Sequence, residues 1–294
     1  MTSDLRGQLL ANEELSKYTS WRVGGCAELM FIPADKEDLC LYVSQLAGTK
    51  ELFWMGLGSN LLVRDGGIDG VVINTRGRLK QMYVASNDDI VVEAGVPCAH
   101  VARFSAEQGR VGAEFLAGIP GTMGGALRMN AGAFGGSTWD LVKQVETIDR
   151  LGVVRIRQAD EFVIHYRGIE GIENEWFLAA HLDIAQGNGT ESQEKIKTLL
   201  ARRNQTQPTN QPSCGSVFKN PEADYAARLI EACNLKGYCI GGACISEKHA
   251  NFIVNTGNAT AAEIEALIEY IQKQVQHKFG ITLQTEVCRV GNVK

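Results

Sequence analysis

LAGIPGTMGGALRMNAGAFGG, residues 116–136, holds seven glycines in 21 positions, between stretches that have the composition of ordinary packed protein. Glycine loses more conformational entropy on folding than any other residue. A dense cluster outside a low-complexity linker therefore indicates a backbone that comes close to a ligand or adopts positive φ. A string of tight turns is the simpler alternative, because glycine-rich runs commonly mark turns.

A second glycine-rich turn, GLGSN at residues 56–60, follows the apolar run LFWM at 52–55. This order is typical of a strand that ends in a turn, where unpaired N–H groups can face an anion. The turn is not a Rossmann fingerprint, since Leu61 stands where the third glycine would be, and no GxxxxGK[ST] motif occurs. Two such turns in one domain suit a long diphosphate ligand that is held mostly by main chain.

The chain has 294 residues, enough for two domains, and its 45% hydrophobic and 21% charged residues are typical of globular proteins. The formal net charge of −5 argues against a protein that wraps nucleic acid through a broad basic face. No run approaches eighteen apolar residues, and the N-terminus lacks the apolar core of a signal peptide. We therefore expect a cytoplasmic protein with no nucleic-acid or membrane partner, and no obligate protein partner is evident.

The eight cysteines form no CxxC pair, and no histidine lies at zinc-like spacing. We expect no metal site, and in a reducing compartment we expect free thiols that pack as small hydrophobic side chains. Cys214 is the exception, because it stands two residues before Ser216 in PSCGSVFKNP. In an extended segment the two side chains share a face, which makes Cys214 a candidate oxidation-sensitive neighbour.

Short apolar runs separated by turns predict strands in the first two thirds of the chain. These runs are LFWM at 52–55, VVIN at 71–74, IVVEAGV at 90–96, TIDRLGVVRI at 147–156 and WFLAAHLDI at 176–184. A further strand is predicted over LQTEV at 283–287. The polar segment AQGNGTESQ at 185–193 is the candidate domain boundary.

Capping signals predict the helices. One helix starts at Asp35 with Leu39, Tyr42, Val43 and Leu46 on its apolar face, and a second starts at Pro97 and runs to about Gln108. Capping-box spacing at Thr190/Gln193 and at Thr260/Glu263 predicts two more, and Asn220-Pro221 predicts the start of another. Helices and strands mix without strict βαβ alternation, so the predicted class is α+β.

Three segments, the last of which contains most of the glycine-rich stretch, resemble the FAD-binding domain of the UDP-N-acetylenolpyruvoylglucosamine reductase family. They are YTSWRVGGCAELMFIP at 18–33, GLGSNLLVRDGG at 56–67 and EFLAGIPGTMGGALRMNAGAFG at 114–135. Four later segments resemble, in order, the catalytic and substrate-binding segments of that family. They are HYRG at 165–168, SCGSVFKNP at 213–221, ISEKHANFIVN at 245–255 and TEVCRVG at 285–291. The resemblance covers nearly the whole chain.

The resemblance implies a two-lobed FAD-binding domain of the vanillyl-alcohol oxidase (PCMH) type over residues 1–187, with lobes of about 1–75 and 76–187. A smaller α+β substrate-binding domain follows over residues 188–294. The short separation between Arg167 and Ser216 looks like the second class of the family, which lacks an inserted tyrosine-bearing loop.

The resemblance also implies an activity. NADPH passes a hydride to noncovalently bound FAD, and the reduced flavin passes it to C3 of the enolpyruvyl group of UDP-N-acetylglucosamine enolpyruvate. The product is UDP-N-acetylmuramate, a peptidoglycan precursor. Ser216 is implied as the proton donor to C2, Arg167 as the partner of the substrate carboxylate and the developing enolate, and Glu286 as a group that polarises the enol system.

The remaining site residues are carried over from the same segments. The implied FAD-binding residues are Gly56, Gly58, Ser59, Asn60, Gly118, Ile119, Pro120, Gly121, Gly124, Gly125, Ala126 and Asn130. The implied substrate-binding residues are Tyr166, Lys219, Asn220, Lys248, His249 and Asn251. An anion near Lys219 and Asn220 would meet an ammonium group and the unpaired N–H groups of a helix start.

Two positions depart from the family pattern. Cys288 stands where an arginine is expected two residues after Glu286, and Ile169 replaces a small hydroxyl residue after the Tyr-Arg pair. Two alternatives stay open from the sequence, and the Cys288 departure supports only the second. The chain could be an oxidase of the same superfamily with another substrate, or a nucleotide-binding regulatory module that has lost turnover.

Overall fold

The computed structural model describes residues 4–46 and 48–294, so the first three residues of the N-terminal segment that was analysed for a signal peptide lie outside the described part. The chain forms two compact units. The first contains the N-terminal segment up to Ala11 with Leu29–Gly56 and Gly70–Arg202; the second contains Asn12–Glu28, Leu57–Asp69 and Arg203–Lys294. These units divide the chain at other positions than residues 187/188, and the predicted domain boundary stays a prediction.

The described residues contain both helices and strands in mixed order, which confirms the predicted α+β class. The strands are β1 (Gln8–Glu14), β2 (Cys26–Ile32), β3 (Leu52–Met55), β4 (Leu61–Val63), β5 (Ile68–Asn74), β6 (Met82–Val84), β7 (Ile90–Glu93), β8 (Gly132–Ala133), β9 (Gly136–Ser137), β10 (Val142–Asp149), β11 (Val154–Gln158), β12 (Val163–His165), β13 (Gly168–Glu170), β14 (Glu175–Leu182), β15 (Cys239–Ile240), β16 (Ala243–Ile245), β17 (Ile253–Asn255) and β18 (Cys288–Val290). The helices are α1 (Lys36–Leu46), α2 (Cys98–Glu107), α3 (Met123–Met129), α4 (Gly189–Thr206), α5 (Ala226–Ala232) and α6 (Ala261–Phe279).

An antiparallel sheet of order β11-β10-β14-β7-β6 is the centre of the first unit. Its middle strand β14 is buried over Phe177–Leu182 apart from His181, as expected for a strand covered on both faces. The predicted TIDRLGVVRI strand is a hairpin, since β10 ends at Asp149 and β11 begins at Val154. A four-stranded sheet has the order β1-β2-β5-β3, with β3 and β5 parallel.

The helices of the first unit begin where their capping residues predict. The Asp35 carboxylate accepts a hydrogen bond from Asp38 N (3.0 Å), and α1 buries Leu39, Tyr42 and Val43 against the sheets. Helix α2 follows Pro97 directly and ends one residue before Gln108. Its buried face joins the main apolar core of this unit.

The second unit packs α5 and α6 against the sheet β15-β16-β17. The predicted capping box of α6 is present, because Thr260 accepts from Glu263 N and the Glu263 side chain accepts from Thr260 N. Gly280, with φ 69°, ends the helix in the left-handed conformation. Strands β4 and β18 pair in parallel, with Leu61 opposite Cys288.

Three predicted elements are wrong in detail. Helix α4 is capped by Asn188, whose side chain accepts from Thr190 N (3.0 Å), so the cap lies two residues before the predicted Thr190. Helix α5 begins at Ala226, because the residues after Asn220-Pro221 form turns. The LQTEV segment forms no strand and contributes one bridge, between Phe218 and Thr285.

The expectation of free thiols is wrong for two cysteines. Cys239 and Cys244 form a disulfide across the β15–β16 hairpin, where the two residues are directly opposite each other. The expectation of an oxidation-sensitive Cys214 also lacks a physical basis, since burial raises the pKa of this thiol to about 12 and the reactive thiolate is disfavoured. Across residues 4–46 and 48–294, no helix combines the length and apolar composition needed to span a membrane.

Candidate active site

The glycine-rich stretch folds into a 3₁₀ turn over Glu114–Gly118, then α3, then the β8–β9 hairpin. Asn130, with φ 40°, ends α3 in the left-handed conformation. Phe134 and Gly135 turn the hairpin with φ of 53° and 92°. Tight turns therefore account for part of the glycine content.

Neighbouring protein atoms explain several of the glycines that were predicted to bind FAD. A Cβ atom on Gly118 would lie 2.5 Å from the Phe134 ring, and one on Gly124 would lie 2.9 Å from Ala94 Cβ. A Cβ atom on Gly56 would overlap the Thr122 hydroxyl. These positions need glycine for internal packing, whatever ligand is present.

Gly125 differs from these glycines. Its φ is not positive, and a Cβ atom there would have only Thr122 Oγ1, at 3.9 Å, within 4 Å. The N–H groups on either side are used, since Gly124 N donates to Ala94 O and Ala126 N to Thr122 O. The Gly125 N–H has no acceptor within the described part of the chain. A bare Cα beside an available N–H fits the close approach of an oxygen-rich group such as the FAD diphosphate.

The other predicted FAD-binding residues lie close to this point in sequence or on the GLGSN turn. In the first unit Ile119 and Ala126 are buried, Pro120 is exposed and Gly121 O accepts from Cys98 N (2.9 Å). In the second unit Gly58 has φ 59°, a conformation that favours glycine, and Ser59 is half-buried. The residues present therefore fit the cofactor, with main chain as the main source of donors.

The predicted Tyr166–Arg167 pair forms the turn between β12 and β13. Arg167 has φ 57°, a conformation that costs a non-glycine residue about 1–2 kcal/mol. Its Nη2 donates to Gly132 O (2.8 Å), and its guanidinium lies 5.2 Å from the centre of the exposed Tyr166 ring. The glycine-rich stretch thus holds the arginine that the resemblance assigns to the substrate carboxylate.

Asn130 supports the same turn from below. Its Nδ2 donates to His165 O (3.0 Å), and its Oδ1 accepts from Trp139 N (3.2 Å). Ile169, one of the two departures from the family pattern, is buried in the core of the first unit and lies opposite Ile164 in the hairpin. An apolar residue at this position anchors the hairpin that carries Arg167.

The second unit brings Ser216 and Glu286 onto adjoining backbone segments. Glu286 N donates to Val217 O (2.8 Å), and Lys219 N donates to Gln284 O (2.9 Å). Gly215, with φ 73°, turns the chain immediately before Ser216. The two predicted catalytic groups of this unit therefore belong to one short antiparallel pairing.

Asn60 lies beside Glu286 in the same unit. Its Nδ2 donates to Glu286 O (3.0 Å), and its carbonyl accepts from Cys288 N (3.0 Å). The assignment of Asn60 to FAD stays a prediction, and the structure adds that its side-chain amide holds the backbone of Glu286. The next residue after Cys288, Arg289, forms an ion pair with Glu265 (3.1 Å).

The predicted substrate-binding residues of the second unit differ in accessibility. Lys248 is exposed and its Nζ donates to Asn204 O (2.5 Å), whereas Lys219 is half-buried. Burial lowers the pKa of His249, so its imidazole is neutral near pH 7. Asn220 Oδ1 accepts from Ala226 N (3.1 Å), and because α5 begins there, the predicted helix start directly after Asn220 is absent.

The structure thus forms two groups of predicted site residues, one in each unit. Tyr166 and Arg167 lie with Asn130 in the first, and Ser216 and Glu286 lie with Asn60 and Asn251 in the second. Sequence reasoning missed Gly132, whose carbonyl holds Arg167. A cavity of about 260 Å³ in the first unit is lined in part by the end of the glycine-rich stretch. It is lined by Gly112, Glu114, Phe115, Phe134, Gly135, Gly136, Lys195 and Leu199.

Comparison with known proteins gives the same reading of both halves of the sequence. The model of the UDP-N-acetylenolpyruvoylglucosamine reductase C-terminal domain matches residues 207–290, and the model of an FAD binding domain matches residues 27–157. The UDP-N-acetylenolpyruvoylglucosamine reductase of Methylococcus capsulatus is 56% identical over 98% of this chain and 95% of its own. That of Legionella pneumophila (strain Corby) is 54% identical over 99% of this chain and 94% of its own.

A solved structure is similar over nearly the same extent. The crystal structure of UDP-N-acetylenolpyruvylglucosamine reductase from Thermus caldophilus superimposes with a TM-score of 0.82 at 29% identity. The match covers 97% of this chain and 99% of the other. The fold predicted from the sequence resemblance is confirmed.

Proposed function

Because this chain belongs to the family of UDP-N-acetylenolpyruvoylglucosamine reductases, we propose that it reduces UDP-N-acetylglucosamine enolpyruvate to UDP-N-acetylmuramate with NADPH. The enzyme is an FAD-containing oxidoreductase, and its product is a precursor of peptidoglycan. Its partners are the UDP-sugar substrate and NADPH, and the cytoplasm is the proposed compartment. The observation that carries the proposal is the ordered set of family segments, with Ser216 and Glu286 on paired backbone.

Bound FAD would supply hydride transfer from NADPH to C3 of the enolpyruvyl group. We assign the diphosphate of FAD to the backbone around Gly125, where an N–H group is available and no Cβ atom intervenes. The sequence resemblance also assigns the GLGSN turn at residues 56–60 to FAD. No tethering residue is evident in the sequence, so the cofactor is noncovalent.

Ser216 supplies the proton that C2 needs after hydride transfer to C3. A serine hydroxyl is a weak acid, but an enolate carbon is a strong base, so a positioned hydroxyl in a site without bulk water can donate. Ser216 is half-buried and lies between Gly215, which turns the chain, and the buried Val217. These neighbours restrict the backbone that carries the hydroxyl. Glu286, on the paired segment, polarises the enol system.

Arg167 binds the substrate carboxylate and stabilises the charge that develops on it as the enolate forms. Its planar guanidinium, which Gly132 O orients through a hydrogen bond from Nη2, has the geometry that suits a carboxylate. The strained backbone at Arg167 is consistent with a functional position, because such strain persists where surrounding contacts impose it.

Lys219, Lys248 and Tyr166 are the proposed contacts for the UDP-sugar. Two ammonium groups and a phenol suit a diphosphate and a pyrimidine ring. Because α5 begins at Ala226, no helix N-terminus follows Asn220 directly. The proposed diphosphate contact therefore depends on the two lysine ammonium groups. Asn220 and His249, which follow Lys219 and Lys248 in the sequence, are proposed to contribute neutral polar groups to substrate binding.

The function is tested by NADPH oxidation at 340 nm in the presence of the enolpyruvyl substrate, with mass spectrometry of the product. The product should be heavier than the substrate by two hydrogen atoms. Ser216→Ala should slow turnover by about 10²- to 10⁴-fold, the usual contribution of a general acid. Ser213→Ala, in the same segment, is the matched control and should keep its activity.

Three results would contradict the proposal. An unchanged rate in Ser216→Ala would remove the proton-donor role. Flavin-loaded protein that oxidises NADPH only with oxygen as acceptor would favour the oxidase alternative. Binding of the UDP-sugar without any turnover would favour the regulatory module.

A further inference from the structure

We propose that Asn251 is a positioning residue for Ser216, acting through the peptide groups of Phe218, and not a contact to the substrate. Its side-chain amide fixes the backbone that carries the hydroxyl. The inference rests on the proposed function, because the role of Ser216 as proton donor belongs to it.

The contacts of Asn251 are directed into the protein. The residue is 4% exposed. Its Oδ1 accepts from Phe218 N (3.0 Å), and its Nδ2 donates to Phe218 O (2.9 Å). Its own carbonyl accepts from Val217 N (2.9 Å). Both functional groups of the amide are therefore engaged by one residue, which leaves a UDP-sugar little to bind.

The pairing on the opposite side explains why an amide is needed. Val217 O and Lys219 N bond to Glu286 N and Gln284 O, so Phe218 and Thr285 form a pair without mutual hydrogen bonds. In such a pair the N–H and C=O groups of the residue point away from its partner. Phe218 is 1% exposed, so these two groups need partners inside the protein.

Asn251 supplies those partners in the geometry of a neighbouring strand. Its amide accepts and donates at one peptide position, as the backbone of an added strand would. The segment over 217–219 is consequently held from both sides, by Asn251 on one and by 284–286 on the other. Ser216 is attached directly to this clamped segment, so the direction of its Oγ depends on the clamp.

The anchor of Asn251 is itself fixed. Its N–H donates to His249 Nδ1 (3.3 Å), and the His249 ring lies edge-on to Phe252, with ring centres 4.8 Å apart. Burial keeps this imidazole neutral and able to accept. The role of His249 in this arrangement is to orient Asn251.

Asn251→Asp and Asn251→Leu remove the donor alone and both groups, respectively. A carboxylate oxygen would face Phe218 O, and leucine would leave both peptide groups without partners. We expect reoxidation of reduced flavin by the enolpyruvyl substrate to fall about 10- to 100-fold, as for a displaced catalytic group. Reduction of the flavin by NADPH should stay within about twofold, since Ser216 takes no part in it.

The matched control is Asn255, another buried asparagine of the same unit. Its Nδ2 donates to Trp21 O (2.8 Å) and its Oδ1 accepts from Gly257 N (2.8 Å), so it also bonds only to backbone. Asn255→Asp should lower the melting temperature as Asn251→Asp does and leave both half-reactions within about twofold. Asn251→Ser, which keeps one hydrogen-bonding group, replaces the leucine variant if that variant does not fold.

The measurement is anaerobic stopped-flow absorbance of the flavin in the full-length holoenzyme, with the two half-reactions observed separately. In a Ser216→Ala background, Asn251→Asp should cause no further loss of reoxidation rate, because both changes act on one proton transfer. A multiplicative loss in the double variant, or an equal loss in both half-reactions of Asn251→Asp, would overturn the inference. Wild-type reduced flavin that the enolpyruvyl substrate fails to reoxidise would overturn the proposed function as well, and this result needs no variant.

Discussion

The substitution Gly125→Ala tests whether glycine is needed at this position for ligand binding or for packing within the protein. A Cβ atom on Gly125 would meet only Thr122 Oγ1, at 3.9 Å, and the residue lies in α3 without positive φ. The apoprotein should therefore gain about 0.5–1 kcal/mol from the lower entropy of the unfolded chain. For a chain of this size the melting temperature of the apoprotein should rise by about 1–4 °C.

The same methyl group would occupy space that we assign to FAD. Forcing an extra methyl into a packed contact costs about 1–3 kcal/mol. At 1.4 kcal/mol per factor of ten, the dissociation constant for FAD should rise by about 5- to 150-fold. The FAD affinity is measured by titrating the deflavinated protein with FAD and monitoring the quenching of flavin fluorescence. Stability is measured by thermal unfolding of the apoprotein and of the FAD-loaded protein.

Gly124→Ala is the matched control, one residue earlier. Its Cβ atom would lie 2.9 Å from Ala94 Cβ, so the apoprotein should lose stability while the folded variant binds FAD within about threefold of wild type. The reasoning would be refuted if Gly125→Ala destabilised the apoprotein and left the FAD affinity unchanged. That result would assign Gly125 to packing and remove the flavin from this backbone.

Three further predictions concern both units. Arg64, 2.8 Å from Glu265, lowers the pKa of that carboxyl, so the stabilising contribution of Glu265 is present above its unfolded pKa and is lost as the pH falls through its folded pKa. Glu265→Gln should therefore lower the urea midpoint at pH 7, and the difference from wild type should shrink as the pH is lowered; a difference that does not change with pH would contradict this. Reduction of the Cys239–Cys244 disulfide should lower the free energy of unfolding by at most about 2 kcal/mol, because the disulfide closes only a short loop within a hairpin. Thiol titration of the unfolded protein should give six groups before reduction and eight after it. Eight groups without reductant would contradict the bond. Arg167→Lys keeps the positive charge but loses the planar guanidinium that can donate two hydrogen bonds to one carboxylate. Reoxidation of the flavin by the enolpyruvyl substrate should slow by about 10- to 150-fold, and flavin reduction by NADPH should be unchanged. An equal effect on both steps would argue against a carboxylate contact.

Local signals in the sequence were sufficient where the responsible residues are close together. Pro97 fixes the start of α2, and Thr260 with Glu263 fixes that of α6, since both signals act within one helical turn. Asn220-Pro221 gave the wrong helix start because Asn220 caps at a distance, through Ala226 N (3.1 Å). The disulfide was missed because a CxxC rule does not detect two cysteines paired across a hairpin.

The site residues stay predictions, but some of their contacts within the protein could not be predicted from the sequence. Asn60, Asn130 and Asn251 were assigned to ligands, and the structure adds that their side-chain amides bond to the backbone of Glu286, His165 and Phe218. Each partner lies more than thirty positions away in sequence, and no local pattern reveals it. The same limit applies to the glycines, because only tertiary neighbours distinguish a packing glycine from one beside an open space.

The most direct test is the anaerobic visible spectrum of the flavin-loaded protein, taken alone, after one equivalent of NADPH, and after addition of UDP-N-acetylglucosamine enolpyruvate. We predict an oxidised flavin spectrum that NADPH bleaches and the enolpyruvyl substrate restores without oxygen. Restoration by oxygen but not by the enolpyruvyl substrate would contradict the proposed reductase activity.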